Sequence, residues 1–331
     1  MTAATRSSNA ADTIRCAKND PTDGVYAICT WEPRLLSYTF SERRGCEGPS
    51  DQMPDRQGQP DLQAFARLLA PAVRQAAAIA RALEGRVANQ PKPGEMTAVK
   101  QALTVADTAA QEALLVPLLE SFPDVCVEAE EDTETVGRFP TTGDSLVVID
   151  PVDGTLHSYL GKQGPYAVIL GLAVRNRIEL GMVALPREGL FFEAIRRRGA
   201  RAARAGGDLR QARIQADGDR VLYSHGMPND VVDALRDEGF DPRPACGGAV
   251  AVAPLITGVR AGVRYAAGAN GISVRGRIGV LIAREAGASV RAARGADFPG
   301  DLTTPAPVLA VAAVNDDLER LDRALAAGGL F

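Results

Sequence analysis

A chain of 331 residues, 46% of them hydrophobic, can bury a large core in one large domain or in two closely packed ones. The net charge of −4, with charges of mixed sign, argues against a nucleic acid polymer as a partner. The five cysteines are scattered without CxxC spacing, which argues against a disulfide scaffold and against a zinc site.

The sequence has no apolar run of about eighteen residues, the length that spans a bilayer. Its amino terminus, MTAATRSSNAAD, lacks the apolar core of a signal peptide. An odd number of cysteines without a pattern is typical of a reducing compartment. We therefore expect a cytoplasmic protein that has no membrane partner.

Residues 1–60 differ from the rest of the chain and are expected to form an amino-terminal extension. They are polar and rich in turn-forming residues, but the stretches 24–31 and 35–40 are typical of short strands or a hairpin. Residues 45–60 have the Gly, Pro, Asp and Gln content of a linker. Two interpretations stay open: a partly ordered extension, or an arm that covers the main body or a partner subunit.

Two helices are predicted next. Apolar residues recur with helical spacing from Asp61 to about Gly85. A polar loop at residues 89–96 leads to a second helical stretch, which begins at Thr104, a residue type favoured at the N-cap. Asp107 falls in the first turn of that helix, where the helix dipole favours a carboxylate. Capping alone would account for this aspartate.

Two predicted strands end in carboxylates. The first, Val125–Val127, runs into an acidic cluster at residues 128–134. The second is the apolar run Leu146–Ile149, which ends at Asp150, and the proline after it restricts this aspartate to an extended conformation. Most acidic clusters are solvated loops. If these strands are neighbours, however, Glu130 lies beside Asp150.

The turn after the second strand holds further polar groups. Asp153 follows Asp150 by three positions, Gly154 is free to adopt an unusual backbone angle, and Thr155 opens a short helix. Oxygen ligands on a tight turn suit a hard cation such as Mg2+, and a helix amino terminus suits a phosphate. The alternative is a strand-ending turn whose aspartates are only solvated.

The remaining chain predicts an α+β domain at residues 61–205 and an α/β domain at residues 206–331, with helices layered on sheets. An antiparallel meander of three strands completes the first domain, and the basic, Gly-rich residues 196–217 form a surface hairpin at the boundary. The predicted strands are 166–174, 178–185, 190–195, 220–224, 262–266 and 308–313, and the predicted helices are 230–238, 248–257, 277–286 and 316–327.

Three motifs now carry a family resemblance. The pair Glu130-Glu131, the segment Asp150-Pro-Val-Asp-Gly-Thr155 and the segment Arg284-Glu-Ala-Gly287 resemble those of the inositol monophosphatase and fructose-1,6-bisphosphatase superfamily of metal-dependent, lithium-sensitive phosphatases. The resemblance covers residues 61–328. It implies a layered αβαβα sandwich of the sugar-phosphatase type, in agreement with the layers of helix and sheet predicted above.

The resemblance also implies metal-dependent hydrolysis of a small phosphate monoester. One Mg2+ would be held by Glu130, Asp150 and the carbonyl group of Val152. A second Mg2+ would use Asp150 and Asp153. Carboxylates suit this task because they hold hard cations, and two metals together would stabilise the attacking and leaving oxygens of an in-line displacement.

The same resemblance assigns the nucleophile and the phosphate contacts. Thr155, with Asp107 behind it, would orient and deprotonate the water that attacks phosphorus. The amide groups of Gly154 and Thr155 would receive phosphate oxygens. Homodimers are common among relatives, so a homodimer is expected by analogy alone.

One expected ligand is replaced. In the family, the helix that ends in the Glu-Ala-Gly motif begins with a Trp-Asp pair, and that aspartate completes the second metal site. Ten positions before Glu285 this chain has Arg275. Two charges about 4 Å apart interact by about 4 kcal/mol at an effective dielectric constant near 20. Arg275 would therefore repel a metal and attract Asp150 and Asp153, which predicts a weak or absent second site.

One branch of the superfamily is most similar. Thr104–Asp107 and Tyr223–His225 resemble the 3'(2'),5'-bisphosphate nucleotidases, which remove the 3'-phosphate from 3'-phosphoadenosine 5'-phosphate. His225 matches a histidine of that branch that contacts the nucleotide. The branch usually has a serine and a lysine at the positions of Gly248 and Ala251. A histidine at a strand end is also often no more than a hydrogen-bonding group.

Three hypotheses follow. The first is a phosphatase with one firmly bound Mg2+, in which Arg275 replaces the second cation by bonding the phosphate or its leaving oxygen. The second is a catalytically impaired family member that binds a phosphorylated ligand or serves as a regulatory subunit. The third is a family scaffold recruited to different chemistry in a specialised pathway. Retention of Thr155 and Asp107 favours the first, and loss of the ligand at position 275 favours the other two.

Overall fold

The computed structural model of the protein describes residues 60–92 and 94–330. The strands predicted at 24–31 and 35–40, and all but the last residue of the linker predicted at 45–60, lie outside the described residues. Among the helices that the structure describes, none combines the length and the apolar character needed to cross a membrane.

Contacts divide the chain into a unit of residues 1–54 and a unit of residues 55–331, and the fold described below is that of the second unit. Its long amino-terminal helices match the predictions, including the N-cap at Thr104. The α-helices of the described residues are α1 (Leu62–Leu83), α2 (Ala98–Gln101), α3 (Val105–Ser121), α4 (Asn229–Asp237), α5 (Gly247–Ala251), α6 (Val274–Glu285) and α7 (Asn315–Ala327).

The first sheet has seven strands in the order of the chain. The first two strands are parallel, and each later strand is antiparallel to its predecessor, so the predicted meander is confirmed. The strands are β1 (Cys126–Ala129), β2 (Ser145–Asp153), β3 (Ala167–Val174), β4 (Arg177–Leu185), β5 (Leu190–Ile195), β6 (Ala200–Arg204) and β7 (Arg210–Gln211).

The second sheet has five strands in the order β11-β12-β10-β8-β9. The parallel pairs β8–β9 and β8–β10 are flanked by antiparallel strands at the other edge. The strands are β8 (Arg220–Ser224), β9 (Asp241–Ala245), β10 (Val259–Tyr265), β11 (Ser289–Arg291) and β12 (Val308–Ala312).

Three local predictions in this half were incomplete, and one of them is the short strand β11, which was not predicted. The strand β9 was not predicted, because its sequence, Asp-Pro-Arg-Pro-Ala, has two prolines that remove ladder donors, and a sheet tolerates them only at an edge. The helix predicted at 248–257 is shorter, since α5 ends at Ala251 and a 3-10 turn, Ala253–Leu255, follows. Pro254 explains the break, because proline disfavours a helical conformation in the residue before it.

Five layers result. Helices α1 and α3 cover one face of the seven-stranded sheet, where Phe65, Leu114 and Ile149 belong to one buried cluster. Helices α5 and α6 lie between the two sheets, and α4 and α7 cover the outer face of the five-stranded sheet. Gly171 and Gly181 face each other on β3 and β4 and leave room for Ile278 of α6. The αβαβα sandwich predicted from the sequence is therefore confirmed.

Candidate active site

The parallel pairing of β1 and β2 brings together the carboxyl ends of the two strands that end in acidic residues. Ala129 is in register with Ile149, so Glu130 and Asp150 are the next residues on neighbouring strands. Asp150 is buried, and the negative charge of Glu130 acts on it. The structure thus places these two carboxylates side by side, as the order of the strands in the sequence suggested.

Asp107 caps α3 and also reaches the turn after β2. Its Oδ2 accepts hydrogen bonds from the backbone N–H of Thr104 (2.8 Å) and from the Oγ1 of the same threonine (2.7 Å). Its Oδ1 accepts one from Oγ1 of Thr155 at 3.0 Å. One carboxylate therefore both caps α3 and contacts Thr155, the residue predicted to activate the attacking water.

The turn itself depends on glycine. Gly154 has a φ of 90°, in the left-handed region that glycine adopts without strain. A Cβ at this position would lie 2.8 Å from Cβ of Cys246, so no larger residue fits between the turn and the amino end of α5. A single π-helical turn, Thr155–Leu160, begins directly after the glycine. The predicted short helix therefore exists.

Burial dominates the electrostatics of Asp150. It raises the pKa of this carboxyl group well above the usual range, and the charges of Glu130 and Asp153 raise it further, whereas Arg275 lowers it. Oδ1 of Asp150 is buried and has no hydrogen-bond partner among the described residues. A buried carboxylate oxygen without a partner is costly, which indicates that a cation or a donor group belongs there.

Arg275 lies in the first turn of α6 and reaches the acidic pair. Its Nη1 is 3.3 Å from Oε2 of Glu130. Burial lowers the pKa of Arg275, but Asp150 and Glu130 outweigh it and raise that pKa. The guanidinium group thus lies beside the acidic residues, but its ion pair is with Glu130 and not with the two aspartates that the sequence predicted.

Asp153 is held by the backbone of α5. Its Oδ2 accepts a hydrogen bond of 2.6 Å from the N–H of Gly248. A Cβ at position 248 would lie 2.7 Å from Cδ1 of Ile169 and 3.2 Å from that carboxylate oxygen. The glycine that replaces the family's usual serine therefore lets the α5 backbone approach Asp153 closely.

His225 follows β8 and packs beside the same turn. Its ring stacks on that of His157 with 4.7 Å between centroids, and its Nε2 lies 3.0 Å from Oγ of Ser158. Burial and the neighbouring histidine lower the pKa of His225, and Asp153 opposes them. The structure therefore places this residue beside the acidic turn, where a bound ligand would meet an uncharged imidazole at neutral pH.

Sequence reasoning missed two cations. Nζ of Lys92 lies 2.6 Å from Oε1 of Glu131 and 3.9 Å from Oε1 of Glu130. Arg264, on β10, places its guanidinium group beside the backbone of Gly247 and Gly276. No local pattern marks either residue, because Lys92 lies in a polar loop and Arg264 in an alternating strand.

The oxygen donors predicted for one hard cation are Glu130, Asp150 and the carbonyl group of Val152, and they include the Oδ1 of Asp150 that has no partner among the described residues. The carbonyl accepts a hydrogen bond from Oγ1 of Thr155 at 2.8 Å and retains a second lone pair. At the second position Arg275 brings a positive charge. Among the described residues no three His, Cys, Asp or Glu side chains are grouped so that they could hold a metal ion.

Comparison with known proteins gives a family match over part of the chain. The sequence profile of the inositol monophosphatase family matches residues 63–225. These residues belong to the inositol monophosphatase family. The match includes the acidic pair at 130–131, the turn at 150–155 and His225. It ends before α6, so Arg275 lies outside the part of the chain that matches the profile.

Curated relatives of the inositol monophosphatase family match over a shorter stretch. The Nus factor SuhB of Pasteurella multocida is 32% identical over 99 residues, which are 30% of this chain and 36% of that protein. The histidinol-phosphatase of Chlorobaculum parvum is 32% identical over 98 residues, again 30% of this chain and 36% of the relative. The chain thus aligns with little more than a third of the length of these relatives.

Solved structures of the family extend the likeness to the whole fold. The Thermotoga maritima IMPase has a TM-score of 0.63 at 19% identity, covering 80% of this chain and 98% of that one. The extragenic suppressor protein suhB of Bartonella henselae has a TM-score of 0.62 at 16% identity, covering 79% and 98%. At this identity the likeness shows the fold alone. The nucleotidase branch that the sequence favoured stays a prediction.

Proposed function

We propose that the protein is a magnesium-dependent phosphatase that hydrolyses a small phosphate monoester of the inositol, sugar or nucleotide 3'-phosphate type. The observation that carries the proposal is the hydrogen bond from the Thr155 hydroxyl group to Asp107, at the turn next to Glu130 and Asp150. A binding protein has no need of a hydroxyl group joined to a buried carboxylate. Membership of the inositol monophosphatase family and a histidinol-phosphatase relative support the same activity.

The cation would be held by Glu130, Asp150 and the carbonyl group of Val152. When bound, Mg2+ supplies a Lewis acid that polarises a phosphoryl oxygen. Because this donor set includes an oxygen that lacks any partner among the described residues, a cation there would also supply the missing partner. Asp153, held by Gly248, keeps the opposite wall of the site negative.

Proton transfer falls to Thr155 and Asp107. The threonine hydroxyl group accepts a hydrogen bond from the attacking water and donates its own proton toward Asp107. Burial raises the pKa of Asp107, while the hydrogen bonds from Thr104 and Thr155 lower it, and the net shift is upward. A carboxylate with a raised pKa is a stronger base, which suits the removal of a proton from the water.

The phosphate group would be bound by donors on both sides. The amide groups of Gly154 and Thr155, at the start of the π-helical turn, would donate to phosphate oxygens. Arg275 would exchange its ion pair with Glu130 for a bidentate bond to the phosphate or to the leaving oxygen, which replaces the second cation. His225, whose pKa responds to the charge of Asp153, would contact the leaving group.

A phosphate-release assay tests the proposal. Inositol, sugar and nucleotide monophosphates are incubated with the protein in Mg2+, in Mn2+ and in chelator. We expect release from at least one class of ester with either metal and none with chelator. Release that persists in chelator would contradict the metal assignment, and release from no ester would contradict hydrolysis.

A second candidate is a catalytically impaired member that binds a phosphorylated ligand, or one recruited to different chemistry. The observation that favours it is the pairing of Glu130 with Arg275 at 3.3 Å and with Lys92 at 3.9 Å, since two cations already neutralise a predicted metal ligand. Absence of release over the whole panel, together with a thermal shift on adding phosphorylated ligands, would support this candidate. A homodimer stays a prediction by analogy.

A further inference from the structure

Arg264 differs from the other cations of the site in having no partner. It is partly buried at the end of β10, yet it makes no hydrogen bond and no ion pair with any described residue. Every other partly buried or buried arginine or lysine of residues 60–92 and 94–330 makes at least one such contact. No nitrogen of Arg264 is among the buried polar atoms that lack a partner, so its guanidinium group stays accessible to an anion.

Glycines of two helices leave room for the guanidinium group of Arg264. A Cβ at Gly247 of α5 or at Gly276 of α6 would collide with its Nη1 atom. The guanidinium group therefore occupies the space that side chains at both positions would need. This arrangement fixes the group between the amino ends of the two helices that lie between the sheets.

These two glycines are neighbours of residues that form the candidate active site. Gly247 follows Cys246, which packs against Gly154 of the phosphate-binding turn. Gly276 follows Arg275, which pairs with Glu130. Through Gly247 and Cys246 the guanidinium group of Arg264 is therefore a near neighbour of the turn, so that one small molecule can contact both.

The acidic groups of the site do not neutralise Arg264. Glu130 is paired with Arg275 and Lys92, and Oδ2 of Asp153 takes the N–H of Gly248. The guanidinium group is therefore available for an anion that enters with the ligand. A planar guanidinium group binds carboxylate and phosphate oxygens in the same bidentate way.

We propose that Arg264 binds a second anionic group of the substrate, a carboxylate or another phosphate carried by the same small molecule as the scissile phosphate. This inference rests on the proposed phosphatase function and narrows its substrate class. Phosphate esters of neutral polyols would be the poorer substrates. Arg264 is thus a specificity residue. The residues of the turn at 150–155 carry out the reaction at phosphorus.

Phosphonates test the inference without hydrolysis, because their P–C bond is not an ester bond. Propylphosphonate carries one anionic group, 3-phosphonopropionate adds a carboxylate on the same carbon chain, and propane-1,3-bisphosphonate adds a second phosphonate. Calorimetry in Mg2+ would measure the affinity of each for the intact protein. We expect 3-phosphonopropionate, propane-1,3-bisphosphonate or both to bind at least about tenfold more tightly than propylphosphonate. One charge-assisted hydrogen-bonded pair provides a gain in affinity of this size.

Arg264→Gln should abolish this preference and leave the affinity for propylphosphonate within about threefold of the wild-type value, because the phosphate turn is unchanged. Arg220→Gln is the matched control, since Arg220 is an exposed arginine of the same sheet. The affinities of 3-phosphonopropionate and propane-1,3-bisphosphonate, compared with each other, show whether Arg264 prefers a carboxylate or a phosphate group.

Each remaining outcome has one meaning. Equal affinity of the wild type for all three compounds, or a preference retained by Arg264→Gln, would overturn the role of Arg264 and leave the phosphatase proposal standing. Failure of every phosphonate, propylphosphonate included, would show that the turn binds no phosphoryl group, and would overturn the proposed function together with the inference.

Discussion

Arg275 is the residue at which this chain departs most from the metal ligands that its resemblance to the inositol monophosphatase family implies. Replacing it with aspartate would remove the ion pair with Glu130 and restore a carboxylate to the first turn of α6. We expect Arg275→Asp to raise the number of Mg2+ ions bound per chain from one to two in calorimetric titration, because a repelling charge becomes a ligand. Without metal, this variant should be less stable than the wild type.

Arg294→Asp is the matched control for that titration, since Arg294 is exposed and the substitution changes the net charge equally. The control should bind Mg2+ as the wild type does. A Mg2+ stoichiometry that Arg275→Asp leaves unchanged would refute our account of Arg275.

Thr155 is the second residue whose role can be isolated. Its hydroxyl oxygen lies 3.0 Å from Oδ1 of Asp107 and 2.8 Å from the Val152 carbonyl oxygen, and its single proton is donated to one of them at a time. Alanine at this position removes the predicted proton relay. We expect kcat to fall by about 100-fold or more in Thr155→Ala with KM changed little, since general base catalysis typically contributes that factor. Thr155→Ser keeps the hydroxyl group and should keep most of the activity. If the alanine variant works as fast as the serine variant, water activation by Thr155 is wrong.

At the scale of single elements, α3 combines structural and chemical roles in one cap. Asp107 is the N3 residue of the capping box of Thr104, and the amide oxygen of Asn can still accept from the Thr104 N–H, so Asp107→Asn should lose less stability than Asp107→Ala. Asp107→Ala should lose about 1 kcal/mol of stability, because the N–H and hydroxyl group of Thr104 lose their acceptor. Both variants should lose phosphate release. An Asn variant that is fully active would reduce Asp107 to a capping residue.

The stacked histidines next to β8 predict a dependence on pH. The folded-state pKa of His225 lies below its ordinary value of 6.5 because of burial and His157. A base whose folded pKa is lowered contributes stability that is present above the unfolded pKa and is lost as pH falls through the folded pKa. Thermal unfolding should therefore show a loss of stability below about pH 6.5 that is smaller in His225→Gln, whose amide group can still bond Ser158.

Proton NMR checks the same prediction directly, since the chain contains only two histidines. The resonance that disappears in His225→Gln should titrate below pH 6.5 in the wild type. A resonance that titrates at or above that value would contradict the assigned environment of His225.

At the scale of the whole molecule, the layers of helix and sheet could be predicted because each helix or strand is marked by a pattern of residues close together in the sequence. The stripe of α1, the cap of α3 and the turn after β2 are local signals, and the family profile matches this half of the chain. Strand β9 could not be predicted, since only the sheet around it makes a proline-containing segment a strand.

The candidate site, like the fold, could be predicted only in part. The acidic turn and its capped helix could be predicted, because strand order and turn chemistry place their side chains. Lys92 and Arg264 could not, since a loop and two glycines from separate helices bring them to the site. Contacts between distant segments are a property of the folded chain, and a single sequence carries no local sign of them.

The central claim is that a divalent cation at the buried acidic turn supports phosphate release, and it depends most on Asp150. Asp150→Asn removes the carboxylate whose Oδ1 has no partner among the described residues, and Asp144→Asn changes an exposed aspartate just before the same strand. The decisive measurement is phosphate release against Mg2+ concentration for these two variants and the wild type. We predict saturable, Mg2+-dependent release by the wild type and by Asp144→Asn, and none by Asp150→Asn. Equal release by both variants would contradict the account.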